Sequence, residues 1–198
     1  MNQKLILVVI FLLLIFVVAL FWYQEWQYLI PTKKPKNYIS VEKGKKINWK
    51  DLPKNTKNTF LHFYNPDCPC SQFNLEHLNS LYKKYQNKVN FIAVLQVDKD
   101  IYQNEKKISY HLSMDYIVDW NGKLADSCGI YATPQAVILD KQQKIYYKGN
   151  YNIARYCSQK ETEFARIALE SILQNKKLPL FSLIAEKSYG CVLPSDEE

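Results

Sequence analysis

Leu5 to Tyr23 reads LILVVIFLLLIFVVALFWY, nineteen consecutive residues without a charge. No other stretch restricts the fold of this chain so strongly. As a helix rising 1.5 Å per residue the run spans about 28 Å, close to the hydrocarbon thickness of a bilayer. Trp22, Tyr23, Trp26 and Tyr28 follow as an aromatic girdle for one interface. A cleaved signal peptide would carry a shorter apolar region ending in small residues. This run ends in bulky aromatics, so an uncleaved anchor is expected.

The anchor divides the 198-residue chain. Residues 1–4 form a short tail, 5–23 the transmembrane anchor and 24–37 a tether holding Pro31 and Pro35 among lysines. One domain is expected over 38–175, and a C-terminal arm over 176–198. Seven of the lysines fall between Lys33 and Lys50, and the formal net charge is +7. No recognition motif accompanies that charge, so nucleic acid is not an expected partner. A solvated linker beside anionic lipid headgroups accounts for it. The lysines flanking the anchor would by themselves keep the domain in the cytoplasm, yet long domains translocate despite such charges. The expected placement is a single-pass membrane protein with its domain on the extracytoplasmic side.

Beyond the tether, strand and helix patterns alternate as in an α/β domain. Thr59–Tyr64 is a short β-rich run stopped by Pro66, and a helix is expected from Ser71, its N-cap candidate, to Tyr85. Its core face is Phe73, His77, Leu78, Leu81, Tyr82 and Tyr85. Val89–Val97 reads as a buried parallel strand. A polar helical stretch is expected over 99–110, and short strands at 116–118, 135–140 and 144–148. Ser158 and Glu161 form a capping box for a last helix over 159–174, with Phe164, Ile167, Ala168 and Ile172 inward.

The chemistry centres on Phe63-Tyr-Asn-Pro-Asp-Cys68-Pro-Cys70-Ser71. A strand enters a tight turn and the turn a helix, so Cys68 falls at a helix N-terminus. Unpaired N–H groups and the helix dipole favour a thiolate there, and the thiolate is the nucleophile. Asp67 opposes this by charge repulsion. Five cysteines, an odd number, do not make a closed disulfide framework. Besides Cys68 and Cys70, candidates for the catalytic pair, there are Cys128, Cys157 and Cys191. Each of these three is a candidate for a resolving thiol or for a structural disulfide.

The order strand, aromatic-x-Pro-x-Cys turn, helix resembles the active-site element of the thioredoxin superfamily. Ala132-Thr133-Pro134-Gln135 and the strand AVILD after it resemble the superfamily's cis-proline loop. Tyr147-x-Gly149 and Gly190-Cys191 resemble membrane-linked, TlpA-like redoxins. The resemblance covers residues 50–175. It implies a three-layer thioredoxin-like fold with a central mixed β-sheet, and thiol–disulfide exchange with protein thiols and disulfides. Thr133 and Pro134 would shape the substrate groove. The departure is Cys-x-Cys where the family has Cys-x-x-Cys, with Ser71 at the position of the second cysteine. Cys68 would attack and Cys70 resolve, unless a distant cysteine does so. A Cu(I) chaperone using Cys68, Cys70 and one of His62, His77 or His111 is an alternative. A non-catalytic assembly module is another. His62, alternating with apolar neighbours, reads as packed, and neither a resident metal nor a cofactor is expected.

Overall fold

The computed structural model describes residues 3–54, 56–96, 112–153 and 159–193, with only the backbone of 25–29. The side chains of Trp26 and Tyr28, the stretch 99–110, His111, Cys157 and Ser158 lie outside the described residues. Two compact units divide at Pro31/Thr32.

The first unit is one helix, α1 (Gln3–Leu29). Its apolar stretch Gln3–Gln24 is long and apolar enough to cross a membrane. The helix continues six residues into the segment read as tether, because no proline interrupts the chain before Pro31.

The second unit is built on a five-stranded mixed sheet in the order β3-β2-β1-β5-β6. The strands are β1 (Asn58–Tyr64), β2 (Val89–Leu95), β3 (Asp115–Val118), β5 (Gln135–Leu139) and β6 (Ile145–Gly149). β1 runs parallel to β2 and β2 to β3, whereas β5 is antiparallel to both β1 and β6. Central β1 is buried along its whole length. Its period-2 alternation then sends side chains to two different cores. Phe60 faces α3 (Leu75–Tyr85) and α5 (Phe164–Leu173), packing with Leu78, Leu81, Phe91, Ala168 and Leu169. Leu61 and Phe63 face the opposite side, with Ile92, Val94, Val137 and α4 (Lys123–Cys128). Sheet and helices on both faces are the thioredoxin-like three-layer fold.

Two helices depart from the sequence expectation. The helix expected over 71–85 is α2 (Pro69–Phe73) and α3, joined at Asn74. Asn74 shifts the helical phase, so Phe73 is exposed while Leu78, Leu81 and Tyr85 are buried. The helix expected from 159 begins five residues later. Glu163 adopts φ −73°, ψ 70°, which separates a 3-10 turn at Lys160–Thr162 from α5. That turn is tied to Asn152 instead, whose Nδ2 donates to the Gln159 carbonyl (2.7 Å) and whose Oδ1 accepts from the Thr162 hydroxyl (2.7 Å).

The C-terminal arm, described through Leu193, packs onto the domain. It holds a 3-10 turn at Leu183–Ala185 and a two-residue strand, β7 (Cys191–Val192). β7 pairs antiparallel with β4 (Ala132–Thr133), the segment leading into Pro134. Ahead of that pair, Ala185 lies against Gly149, at which any Cβ would fall 2.1 Å from the Ala185 carbonyl oxygen. With φ +151°, this backbone position also favours glycine. Asn150 fastens the same place. Its backbone N–H donates to Ala185 O (2.9 Å), and its side-chain amide to Ile184 O (2.6 Å) and Lys187 O (2.5 Å).

Candidate active site

The turn after β1 is shaped by Asn65. Its Oδ1 accepts from the Asp67 N–H (2.8 Å), and its carbonyl from the Cys68 N–H (3.1 Å). An Asx turn of this kind bends the chain sharply without a glycine. Cys68 follows in an extended conformation, and Pro69 begins α2. The N-cap is therefore Cys68 and not Ser71. Proline favours the first helical position because its φ is preset and its missing N–H would be unpaired there anyway. Ser71 lies inside the helix, buried, with its Oγ accepting from the Asn65 N–H (3.4 Å).

Cys68 is joined by a disulfide to Cys191, with Cα atoms 6.0 Å apart. The pair is 123 residues apart in sequence. By chain entropy, closing so long a loop stabilises the folded state by at most about 5 kcal/mol. Cys68 Sγ also lies 3.6 Å from the Thr133 carbonyl oxygen. A disulfide sulfur has no hydrogen, so this is a packing contact in the oxidised state and a hydrogen-bond seat for the reduced thiol. The Thr133–Pro134 bond is cis. Cys191 stands opposite Thr133 in the β4–β7 ladder, so cap, cis-proline segment and arm converge on one sulfur pair. Gly190 makes the approach feasible. At φ +133° it is so close to Thr133 that a Cβ would fall 2.1 Å from the Thr133 carbonyl oxygen.

The other described cysteines are placed differently. Cys70 is a buried thiol on α2, outside the disulfide. Cys128 is fully buried in the α4-side core with Leu124 and Ile130. Burial, aided by the Asp119 carboxylate, pushes its thiol up to about 12 against a partial opposing pull from Lys148. A thiol so placed is a core residue rather than a nucleophile. His62 is wholly buried on β1, sharing a 2.6 Å hydrogen bond between its Nδ1 and the Tyr151 hydroxyl. Burial lowers its pKa to about 3, so it is neutral. His77, half-buried, sits 4.0 Å from Glu163. Among the described residues no three of His, Cys, Asp and Glu come together as a metal site.

Sequence reasoning named Cys191 only as one of three candidates, and gave no role to Asn150 or to Gly190 beyond its place in a motif. The sole sequence signal for the arm was Gly190-Cys191 itself.

Fold and site together define a thioredoxin-superfamily redoxin. The chain belongs to the family described as "Domain of unknown function (DUF6436)", whose pattern matches residues 39–193. It is 29% identical over 150 residues to "Thiol-disulfide oxidoreductase ResA" of Bacillus thuringiensis subsp. konkukian (strain 97-27), covering 73% of this chain and 86% of that protein. The protein of the same name from Bacillus anthracis matches to the same extent. Among solved structures, an uncharacterized conserved protein from Geobacillus kaustophilus superposes with TM-score 0.61 at 24% identity, over 73% of this chain and 80% of that one. Hypothetical protein SMc02350 from Sinorhizobium meliloti 1021 gives TM-score 0.61 at 19% identity, over 73% and 83% of the two chains. These two likenesses are of fold.

Proposed function

We propose that this chain is a membrane-anchored thiol–disulfide oxidoreductase in which Cys68 is the exchanging thiol and Cys191 resolves it. The observation that carries the reading is the Cys68–Cys191 disulfide itself, set at a helix N-cap against the Thr133–Pro134 segment. The relatives' name, thiol–disulfide oxidoreductase, supports the same chemistry.

In the reducing direction the Cys68 thiolate attacks one sulfur of a partner disulfide. That S–S bond breaks, and the partner's second sulfur leaves as a thiolate. The Cys191 thiolate then attacks Cys68 Sγ, re-forming Cys68–Cys191 and releasing the partner's first sulfur. Two electrons pass to the partner, which takes up two protons. The reverse sequence donates the disulfide to a partner dithiol. The helix N-terminus stabilises the Cys68 thiolate in both directions. Thr133 and Pro134 form the wall along which the partner chain lies. Within Cys68-Pro-Cys70, Cys70 is the competing resolver, able to act when Cys191 has left Cys68.

The apolar helix Gln3–Gln24 serves as the anchor in this reading. A disulfide closing so much of the domain fits an oxidising, extracytoplasmic compartment. Single Cys→Ser variants test the whole assignment through reduction of a disulfide-linked protein by a dithiol. Cys68→Ser is expected to abolish turnover, Cys191→Ser to accumulate the mixed disulfide, and Cys70→Ser to keep both turnover and the Cys68–Cys191 bond. Full turnover by Cys68→Ser rejects the proposal, and trapping by Cys70→Ser alone makes Cys70 the resolver. A membrane-impermeant thiol reagent on intact cells, after mild reduction, should label Cys191. Labelling only after lysis would put the domain inside.

A further inference from the structure

The short strand β7 occupies the place on β4 where an extended segment of another chain would have to lie to reach Cys68. It pairs with Ala132–Thr133, and its cysteine is already bonded to the Cys68 sulfur. The base of the arm is fastened without that bond. Asn150 holds 184–187, and Thr32 donates its N–H to the Ser188 carbonyl (2.8 Å). Beyond Ser188 the non-covalent hold is slight. It consists of the two-residue ladder, the Thr32 hydroxyl on the Gly190 carbonyl (3.0 Å), the Leu193 N–H on the Tyr131 carbonyl (3.3 Å), and the packing of the partly buried Leu193 side chain against the α4-side core. Val192 is more than half exposed.

We propose that residues 189–193 are a strap that fills the partner seat on β4 while the disulfide stands and leaves it on reduction, and that the seat takes an extended polypeptide whose cysteine follows a glycine. This rests on the exchange reading above. Release is a balanced two-electron step. One thiolate of an external dithiol attacks Cys191 Sγ, and the Cys68 sulfur leaves as thiolate. The dithiol's second thiol then displaces Cys191, so the dithiol departs as a disulfide and Cys68 and Cys191 remain as two thiols. A two-residue ladder is too short to persist alone, since even full hairpins are marginal in water. The demand for glycine comes from the Thr133 carbonyl, which leaves no room for a Cβ on the residue before the seated cysteine. The strap also explains how product leaves. When Cys191 returns to attack Cys68, the strand it brings displaces the partner's strand from β4.

Two measurements on the full chain in detergent decide this. The first is amide hydrogen exchange in the oxidised and reduced protein. Reduction is expected to strip protection from the Cys191 and Leu193 amides while that of Asn150, bonded to Ala185, persists. Unchanged protection at Cys191 and Leu193 overturns the strap. The second compares Cys191→Ser, whose strap has no disulfide to hold it, with the double variant Gly190→Ala, Cys191→Ser, in which the added methyl also bars the strap from the seat. The probe is the peptide Tyr-Gly-Cys-Val-Leu, carried as its mixed disulfide with a small aromatic thiol. Capture by Cys68 should proceed at the same rate in both, because the seat is already empty without the disulfide, and about tenfold more slowly when alanine replaces the peptide's glycine. A small symmetrical aromatic disulfide, which needs no seat, should react with both at equal rates. Faster capture by the double variant, which would mean that the strap stays seated without its disulfide, overturns the proposal, as does equal capture when alanine replaces the peptide's glycine. A Cys68 inert to both reagents would sink the exchange reading instead, and hydrogen exchange would still decide the strap.

Discussion

Asn150→Ala isolates the fastening of the arm from the disulfide that closes it. Asn150 is buried at the end of β6, and its side-chain amide donates to the carbonyls of Ile184 (2.6 Å) and Lys187 (2.5 Å). Each intramolecular hydrogen bond contributes about 1 kcal/mol net, and a carbonyl left dry and unpaired costs about 1–3 kcal/mol. The arm lies at the surface, so water relieves part of the second cost. The expected loss is about 2–4 kcal/mol, from those two bonds with partial rehydration and the longer 3.4 Å bond that Gln135 Nε2 donates to Asn150 Oδ1. The backbone bonds at this position survive the substitution, namely Asn150 N–H to Ala185 O and the Tyr147 hydroxyl to Asn150 O. The assay is urea unfolding of the unit from Thr32 onward, a compact body in its own right. The midpoint should fall with the slope unchanged. In a thermal scan the same loss amounts to roughly 4–16 °C for a domain of this size. Because the fastening lies before the strap, the loss should be the same with the disulfide intact and with it reduced. A loss under about 0.5 kcal/mol, below even one such bond, would refute the reasoning. So would a loss confined to the oxidised protein, which would mean that the base of the arm leaves with its tip.

Two of the buried titrating groups, His62 and Cys128, give pH predictions of opposite sense. His62 is held near 3 by burial against an ordinary value of 6.5. Between those values the unfolded chain binds a proton that the folded one refuses, so His62 should cost stability progressively as pH falls from about 6.5 toward 3. Its ring resonances should not titrate between pH 7 and 4, and a ring titrating near 6.5 in the folded protein would contradict the burial argument. Cys128 is raised from 9.0 to about 12, so the folded chain keeps a proton that the unfolded one loses. Its stabilising contribution is complete below pH 9 and is lost as pH rises toward 12. At pH 8.5 iodoacetamide should leave Cys128 unmodified until denaturant is added; rapid modification of the native protein would place the thiol outside the core.

How much of this was legible in the sequence depended on how local the cause was. β1 and the turn after it could be read because an apolar run and Pro66 lie within a few residues of each other. The N-cap was misplaced by three residues because two local preferences compete there. Serine favours a cap, but Pro69 favours the first helical position, and proline's fixed φ prevails. Phe73 went to the wrong face because a helical wheel assumes one phase, whereas the backbone resets at Asn74. The capping box at Ser158 and Glu161 marked a helical start, but the regular helix waits until after Glu163, whose backbone is not helical.

The arm was beyond the reach of such rules for a different reason. A 3-10 turn and a two-residue strand have no period to detect, and pairings among five cysteines do not follow from their spacing. What places the arm is a set of contacts between residues far apart in the chain: Gly149 against Ala185, Asn150 on Ile184 and Lys187, Gly190 against Thr133. Each of these residues looks ordinary in sequence and becomes specific only when its partner is known. Two of the three are glycines at positions where a side chain would collide with a backbone carbonyl, so they define a path for the arm rather than a flexible joint. That path ends with Cys191 opposite Thr133, which is why the missing fourth-position cysteine at Ser71 does not leave Cys68 without a partner. The second sulfur arrives on a strand instead of on the helix. In the strap proposal a sulfur delivered on a strand also occupies the partner's docking edge when it bonds, so disulfide closure and release of the partner would be the same movement.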